Sequence, residues 1–176
     1  MRVCFLVKMM LFLFIALPAV SPGADTPQEY RVKAGFVLNF PLFAELPKRR
    51  ENGSPFTICI IGDTPLEGAL ALAKGKRIGN NPLVIELIND SDQMEPCRVL
   101  FIAPTERYRL QPLLAEAGSR GILTVSDMRD FVRMGGMIGL VTVNSRITFE
   151  LNQTAARKAS ISFDTQLLKL ARDVRK

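Results

Sequence analysis

The side chains that carry most hydrolytic and redox chemistry are scarce in this chain. It has 176 residues with three Cys, no His and no Trp. Without histidine there is no Ser-His-Asp or Cys-His pair and no HExxH zinc site, and a structural zinc finger needs more cysteines than are present. What remains is a set of carboxylates: Asp63 in Gly62-Asp63-Thr64, Asp127 in Leu123-Thr124-Val125-Ser126-Asp127, and Asp130. Each follows a strand-like run, where α/β folds place phosphates or carboxylates. Neither GxGxxG nor a Walker lysine-serine pair accompanies them, and Gly135-Gly136-x-x-Gly139 reads as a tight entry into a strand. Ser126 has no recognisable base, and Asp127 and Asp130 also read as helix-start acids. The sequence therefore predicts no catalytic residue, metal or cofactor. It leaves Asp63 and Asp127 as the candidate lining of a small-ligand pocket.

Something must place these residues in a compartment. Residues 1–24 carry Arg2 and Lys8, an unbroken apolar run from Met9 to Leu17, and small residues around Ser21, Gly23 and Ala24. That is the layout of a cleaved secretory signal peptide, and the run is shorter than the roughly 18–20 apolar residues that span a bilayer. Cys4 leaves with the leader, and the formal charge falls from +6 to +4 as Arg2 and Lys8 go. The mature domain, 25–176, has no second apolar span and is predicted to be soluble in the periplasm. Cys59 and Cys97 are then its two thiols, in the strand-like runs 56–61 and 97–102. An even count in an oxidising compartment favours one disulfide; the alternative is two separately buried thiols.

The elements follow from pattern. Thr26-Pro27-Gln28-Glu29 is a capping box that opens a helix ended by Pro41, and Thr64-Pro65-Leu66-Glu67 is another, opening a helix to about Ala73. Tyr30 and Phe36 have the periodicity of helix-to-sheet packing, with an interface anchor as the alternative reading. Strands are expected at 56–61, 83–88, 97–103 and 122–125, a helix over 105–117, and a further helical turn or two from Ser126 to Met134. Met137–Val143 and Arg146–Leu151 read as a hairpin around Asn144-Ser145. Phe163, Leu167, Leu170, Ala171 and Val174 read as one stripe of a final helix. Alternating strands and helices predict a single-domain α/β sandwich with a mostly parallel central sheet, a C-terminal antiparallel hairpin and flanking helices.

The polar face of the hairpin, Arg146, Thr148 and Glu150, together with Asn152 and Lys158, is the candidate partner surface; its bland reading is the solvent face of a half-buried sheet. The basic clusters Lys48-Arg49-Arg50 and Lys74, Lys76, Arg77 lack interleaved aromatics, and export argues against nucleic acid.

The ordered motifs resemble the YfiR family of periplasmic regulatory proteins. They run Glu29-Tyr30-x-Val32-Lys33-Ala34-x-Phe36-x-x-Asn39-Phe40, Ile58-Cys59-Ile60-Ile61-Gly62-Asp63-x-Pro65, Cys97-Arg98-Val99-Leu100-Phe101-Ile102 and Leu123-Thr124-Val125-Ser126-Asp127. Phe131-x-x-x-Gly135-Gly136-Met137-Ile138, Ile147-x-Phe149-Glu150-Leu151-Asn152-x-x-Ala155-Ala156 and Leu167-Leu168-x-Leu170-Ala171 complete the series. The resemblance implies an inhibitor that binds the periplasmic sensor portion of a membrane-bound diguanylate cyclase and restrains cyclic-di-GMP synthesis and biofilm formation. It also maps the family disulfide onto Cys59 and Cys97. A second cysteine pair of some members is absent, and the family's Trp-Pro stands here as Leu46-Pro47. The expected partner is thus an inner-membrane signalling protein, a diguanylate cyclase or a sensor kinase, with a second copy of the chain as a further candidate. The competing function is a periplasmic small-molecule receptor that feeds a sensor such as a histidine kinase. A third, an acid hydrolase using Asp63 and Asp127, lacks any nucleophile-base pair.

The leader makes the first prediction. The intact mass of the protein recovered from the periplasm should correspond to a chain starting within a few residues of Ala24; a chain that retains Met9 to Leu17 would contradict the signal-peptide reading.

Overall fold

The computed structural model describes residues 27–48 and 54–176, so the leader 1–24, Thr26 of the first capping box, and Arg49 and Arg50 lie outside the described residues. In chain order the elements are α1 (Pro27–Asn39), β1 (Ala44–Glu45), β2 (Phe56–Ile61), α2 (Leu66–Ala71), β3 (Arg77–Ile78), β4 (Asn81–Ile88) and β5 (Cys97–Ile102). They continue with α3 (Leu110–Ser119), β6 (Leu123–Ser126), β7 (Ile138–Val143), β8 (Arg146–Asn152), α4 (Gln153–Lys158), β9 (Ser162–Phe163), α5 (Thr165–Leu170) and β10 (Asp173–Arg175). Short 3-10 segments follow α1 and flank β5.

The main sheet has the order β10-β8-β7-β6-β5-β2-β4-β3. Neighbours from β4 to β7 run parallel, β7 and β8 form the antiparallel hairpin, and β3 folds back antiparallel on β4. The expected α/β sandwich is the observed architecture. Strand alternation sorts the core into two layers. Ile58, Ile60, Val99, Phe101, Leu123, Val125 and Phe149 face α1, α2, α4 and α5, while Cys59, Ile61, Leu100 and Ile102 face α3. Strands buried on both faces are continuous apolar runs, which is why FTICII and CRVLFI are so legible.

The first helix ends as expected: Pro41 cannot continue it, and Phe40–Leu42 tightens into a 3-10 turn. The hairpin turns at Asn144 and Ser145, both with positive φ (48° and 60°), the backbone of a type I′ turn. Gly135 sits at φ +105°, and a Cβ on Gly136 would lie 2.1 Å from the Phe131 ring, so the glycine pair serves a turn and a close approach.

Three expectations need correction. No helix forms between Ser126 and Met134: the segment is a series of turns with Asp130 at φ +62°. The Ser126 hydroxyl accepts the Met128 N–H (2.9 Å) and donates to the Ile102 carbonyl (2.6 Å), a local turn that competes with helix. Neither Asp127 nor Asp130 is therefore a helix-start acid. The stripe from Phe163 to Val174 is likewise not one helix. Phe163 belongs to β9, paired with Ala44 of β1, and α5 stops at Leu170. Beyond it Val174 pairs with Leu151 in β10. The open edge of β8 draws the tail into the sheet, with the Arg172 N–H bonded to the Phe149 carbonyl at 2.9 Å. Finally, Thr64 does not form the second capping box. Pro65 holds the N-cap position of α2, and Thr64 Oγ1 accepts the Leu66 N–H.

Cys59 and Cys97 form a disulfide between the adjacent parallel strands β2 and β5, with Cα atoms 5.6 Å apart and both residues fully buried. It closes a segment with sequence separation 38, for which the chain-entropy model gives a stabilisation of about 4 kcal/mol. The Cys59→Ala/Cys97→Ala variant should thus lose about 3–4 kcal/mol of unfolding free energy in urea titrations; a loss under about 1 kcal/mol would show that the bridge does little beyond filling space.

Candidate functional site

The stripe of α1 that enters the core is Tyr30, Lys33, Ala34 and Val37, an otherwise apolar i, i+3, i+4, i+7 series with a lysine in it. Lys33 is 4% exposed, and its ammonium donates to Asp127 Oδ2 at 2.7 Å and to Glu29 Oε1 at 3.1 Å. The Tyr30 hydroxyl donates to the same Asp127 oxygen at 3.3 Å, and the ammonium lies 4.3 Å from the Tyr30 ring centroid. Glu29 in turn accepts from Thr142 Oγ1 on β7 at 2.9 Å. Asp127 leaves the C-terminal end of β6, so the network ties α1 to two neighbouring strands. Its other oxygen, Oδ1, is buried and has no hydrogen-bond partner among the described residues.

Burial pulls the Lys33 pKa down, but the hydrogen bond and charge of Asp127, reinforced by the bond to Glu29, more than reverse this and hold it above the ordinary lysine range. A lysine held protonated is neither a general base nor an amine nucleophile. The geometry is that of an electrostatic clamp.

The two candidate pocket acids are not brought together. Asp63 is exposed after β2, its N–H donating to Thr105 Oγ1 at 3.2 Å, and β5 separates β2 from β6. Beside Asp63, a Cβ on Gly62 would strike the Glu106 side chain at 2.6 Å. The buried Glu106 is bound to Arg109, so a carboxylate occupies the neighbourhood where an anion would be cradled. Among the described residues no group of three or more His, Cys, Asp or Glu could hold a metal ion.

On the hairpin, Arg146 is exposed, while Thr148 and Glu150 are half-buried on the same face of β8. Glu150 is 3.1 Å from Arg172. Asn152 continues the alternation but is 5% exposed, with its Oδ1 capping α4 through the Ala155 N–H and its Nδ2 donating to the Val132 carbonyl. Lys158 is exposed at the end of α4. Arg146, Thr148 and Glu150 thus share an accessible face, and Asn152 supports it from below. Of the two aromatic candidates on α1, Tyr30 is core and Phe36 is half-buried, packed on Phe40 and Phe149 with centroids 5.8 and 5.7 Å away. Sequence reading missed the Lys33–Asp127 pair. The signal was a charged residue inside an apolar stripe, which requires a buried partner that one sequence does not identify.

Residues 30–172 match a family model described as YfiR/HmsC-like. No curated protein matches the chain. Two solved structures share the fold. A conserved domain protein from Vibrio cholerae O1 biovar El Tor superposes with a TM-score of 0.58 at 12% identity over 83% of this chain. A Streptococcus pneumonia ABC domain in complex with L-Trp does so with 0.54 at 9% identity over 82%. The chain spans 60% of the length of each.

The clamp yields a stability prediction. Lys33→Met leaves Asp127 buried without its cation and should cost about 3–5 kcal/mol, whereas Lys33→Met/Asp127→Leu should recover much of that loss. Because the Lys33 pKa is raised on folding, its contribution is fully present below the ordinary value of 10.5 and fades only as pH climbs through the raised one. The stability gap between wild type and Lys33→Met, followed by denaturant titration, should stay level from neutral to mildly alkaline pH and narrow only in strong alkali.

Proposed function

Since the chain belongs to the YfiR/HmsC-like family, we propose that it is a periplasmic regulator that inhibits a membrane-bound diguanylate cyclase by binding the cyclase's periplasmic sensor portion. The family match over residues 30–172 carries this reading, because the family is periplasmic and regulatory rather than enzymatic. Two structural facts accord with it. The buried lysine is protonated and tied up, and among the described residues no helix is long and apolar enough to cross a membrane.

A regulator in a compartment without ATP acts by preferring one state of its partner, and its effect is limited by its differential affinity for the two states. To shift a balanced equilibrium to 10:1 it must bind the inactive state about tenfold more tightly, a difference of about 1.4 kcal/mol. The exposed Arg146 with Thr148 and Glu150 presents polar groups on a rigid strand, and Lys158 adds a charge nearby in sequence. Asp63 and Asp127 have no part in this reading as catalysts.

Crosslinking of the tagged protein in its native envelope, followed by mass spectrometry, should recover an inner-membrane diguanylate cyclase. Arg146→Glu/Thr148→Arg should reduce that recovery and raise cellular cyclic-di-GMP while leaving the melting temperature within about 2 °C. Recovery of the chain alone, with cyclic-di-GMP unchanged on deletion, would count against the inhibitor and favour the small-molecule receptor.

A further inference from the structure

The main sheet ends on a strand whose outer side is mostly unpaired. β4 pairs with β2 from Leu83 to Ile88, whereas β3, its neighbour on the other side, reaches only Asn81 and Pro82. Which backbone groups face outward is fixed by one bond: the Leu83 N–H donates to the Lys76 carbonyl, on the β3 side, at 3.0 Å. Backbone groups alternate in direction along a strand, so the N–H and C=O of Ile85 and Leu87 point to that same side. Among the described residues nothing pairs with them there. The edge also lacks the usual protection, since Leu83–Ile88 has no proline, lysine or shift of register. Its side chains include Leu87, 55% exposed, the half-buried Val84 and Ile85, and one charge, Glu86, which forms no ion pair among the described residues.

We propose that this edge takes an extended segment of a protein partner as an added antiparallel strand, with apolar residues opposite Ile85 and Leu87 and a lysine or arginine opposite Glu86. Free N–H and C=O groups in strand geometry select an extended backbone, which can exchange both bonds with Ile85 and both with Leu87. A helix has its backbone groups bonded internally and cannot answer them. Residues directly opposite share a face of the sheet, so the cation stands beside Glu86, at about 5 Å between Cβ atoms, and an apolar residue beside the exposed Leu87. Charge decides against a second copy of this chain. Lys76 already stands opposite Leu83, so a second β4 can pair only from Val84 onward. The two-fold register that uses Ile85 and Leu87 then sets Glu86 directly against Glu86, a destabilising like-charge pair. The inference goes beyond the regulator reading, for it concerns the edge of the sheet remote from β8 and β10.

The test uses the purified protein and a fluorescein-labelled peptide with Thr-Val-Lys-Val-Thr at its centre, followed by anisotropy. Saturable binding below about 1 mM is expected, since a short added strand gives modest affinity. N-methylation of the two valine amides, which face β4, should abolish it. N-methylation of the lysine amide, which faces away, should leave it within about twofold. A Val-Glu-Val centre should bind about fivefold more weakly than Val-Lys-Val, and Glu86→Lys should reverse that preference. Leu87→Pro removes one outward N–H and leaves the β2–β4 bonds in place, so it should weaken binding about tenfold. Should Leu87→Pro melt early, the methylated peptides and Glu86→Lys carry the test without altering the backbone of the strand. Absence of saturation, equal or tighter binding of the valine-methylated peptide, or an unchanged preference in Glu86→Lys would overturn the proposal. So would sedimentation in which the protein alone dimerises and Leu87→Pro abolishes the dimer, for the edge would then belong to a second copy.

Discussion

A lysine on the buried stripe of a helix has to find a counter-charge, and the position of α1 follows from where that charge is. Leaving an ammonium unpaired in the interior costs several kcal/mol, so Lys33 can enter the core only if Asp127 meets it. Asp127 stands at the end of β6, and Glu29, one turn before Lys33, reaches Thr142 on β7. Apolar contacts alone would let the helix slide over the sheet; the network of Glu29, Tyr30, Lys33, Asp127 and Thr142 fixes both its rotation and its register. With α1 so placed, Phe36 and Phe40 fall on Phe149, and the edge of the sheet carrying the hairpin is joined to the core.

The disulfide fixes the other layer. Cys59 and Cys97 lie on the α3 face of β2 and β5, opposite to the residues that meet α1. The two covalently joined strands are interior strands of the sheet, and around them stand short helices, an antiparallel hairpin, and two- and three-residue strands at the edges. The end formed by β8, α5 and β10 is tied to that interior by the β7–β8 ladder and by Phe149 and Leu151, both buried.

Much of the fold was legible because its strands are buried on both faces, and continuous runs such as FTICII leave no ambiguity of pattern. The disulfide followed from cysteine count and compartment. The failures have a common physical origin. In the stretch from Phe163 to Val174 the helical period is real, but backbone groups on the edge of β8 compete for the chain, and one sequence does not show which ladders stand open. From Ser126 to Met134, the serine hydroxyl offers a local turn as good as a cap, and Asp130 tolerates a positive φ that ends any helix. The candidate site shows the same limit. Arg146, Thr148 and Glu150 could be assigned to one face from alternation alone, yet the burial of Asn152 depends on α4, a six-residue helix with too few turns to show a period.

The absence of histidine, noted first as an exclusion, also bears on regulation. With none present, the side chain that ordinarily changes charge between pH 5 and 8 is missing, and the buried lysine is held protonated well beyond that range. The central disulfide is fully buried between two paired strands, away from attacking thiolates. The buried bridge thus offers thiol exchange no exposed sulfur, and the buried lysine, already charged, offers mild acid no site to protonate. Arg146, Thr148 and Glu150 stand on the face of β8 opposite Phe149 and Leu151, the residues that carry the strand into the core. Phe149, packed on Phe36 and Phe40, therefore joins that strand to the helix whose position Lys33 and Asp127 fix, so the polar face of β8 and the buried ion pair are parts of one packed unit.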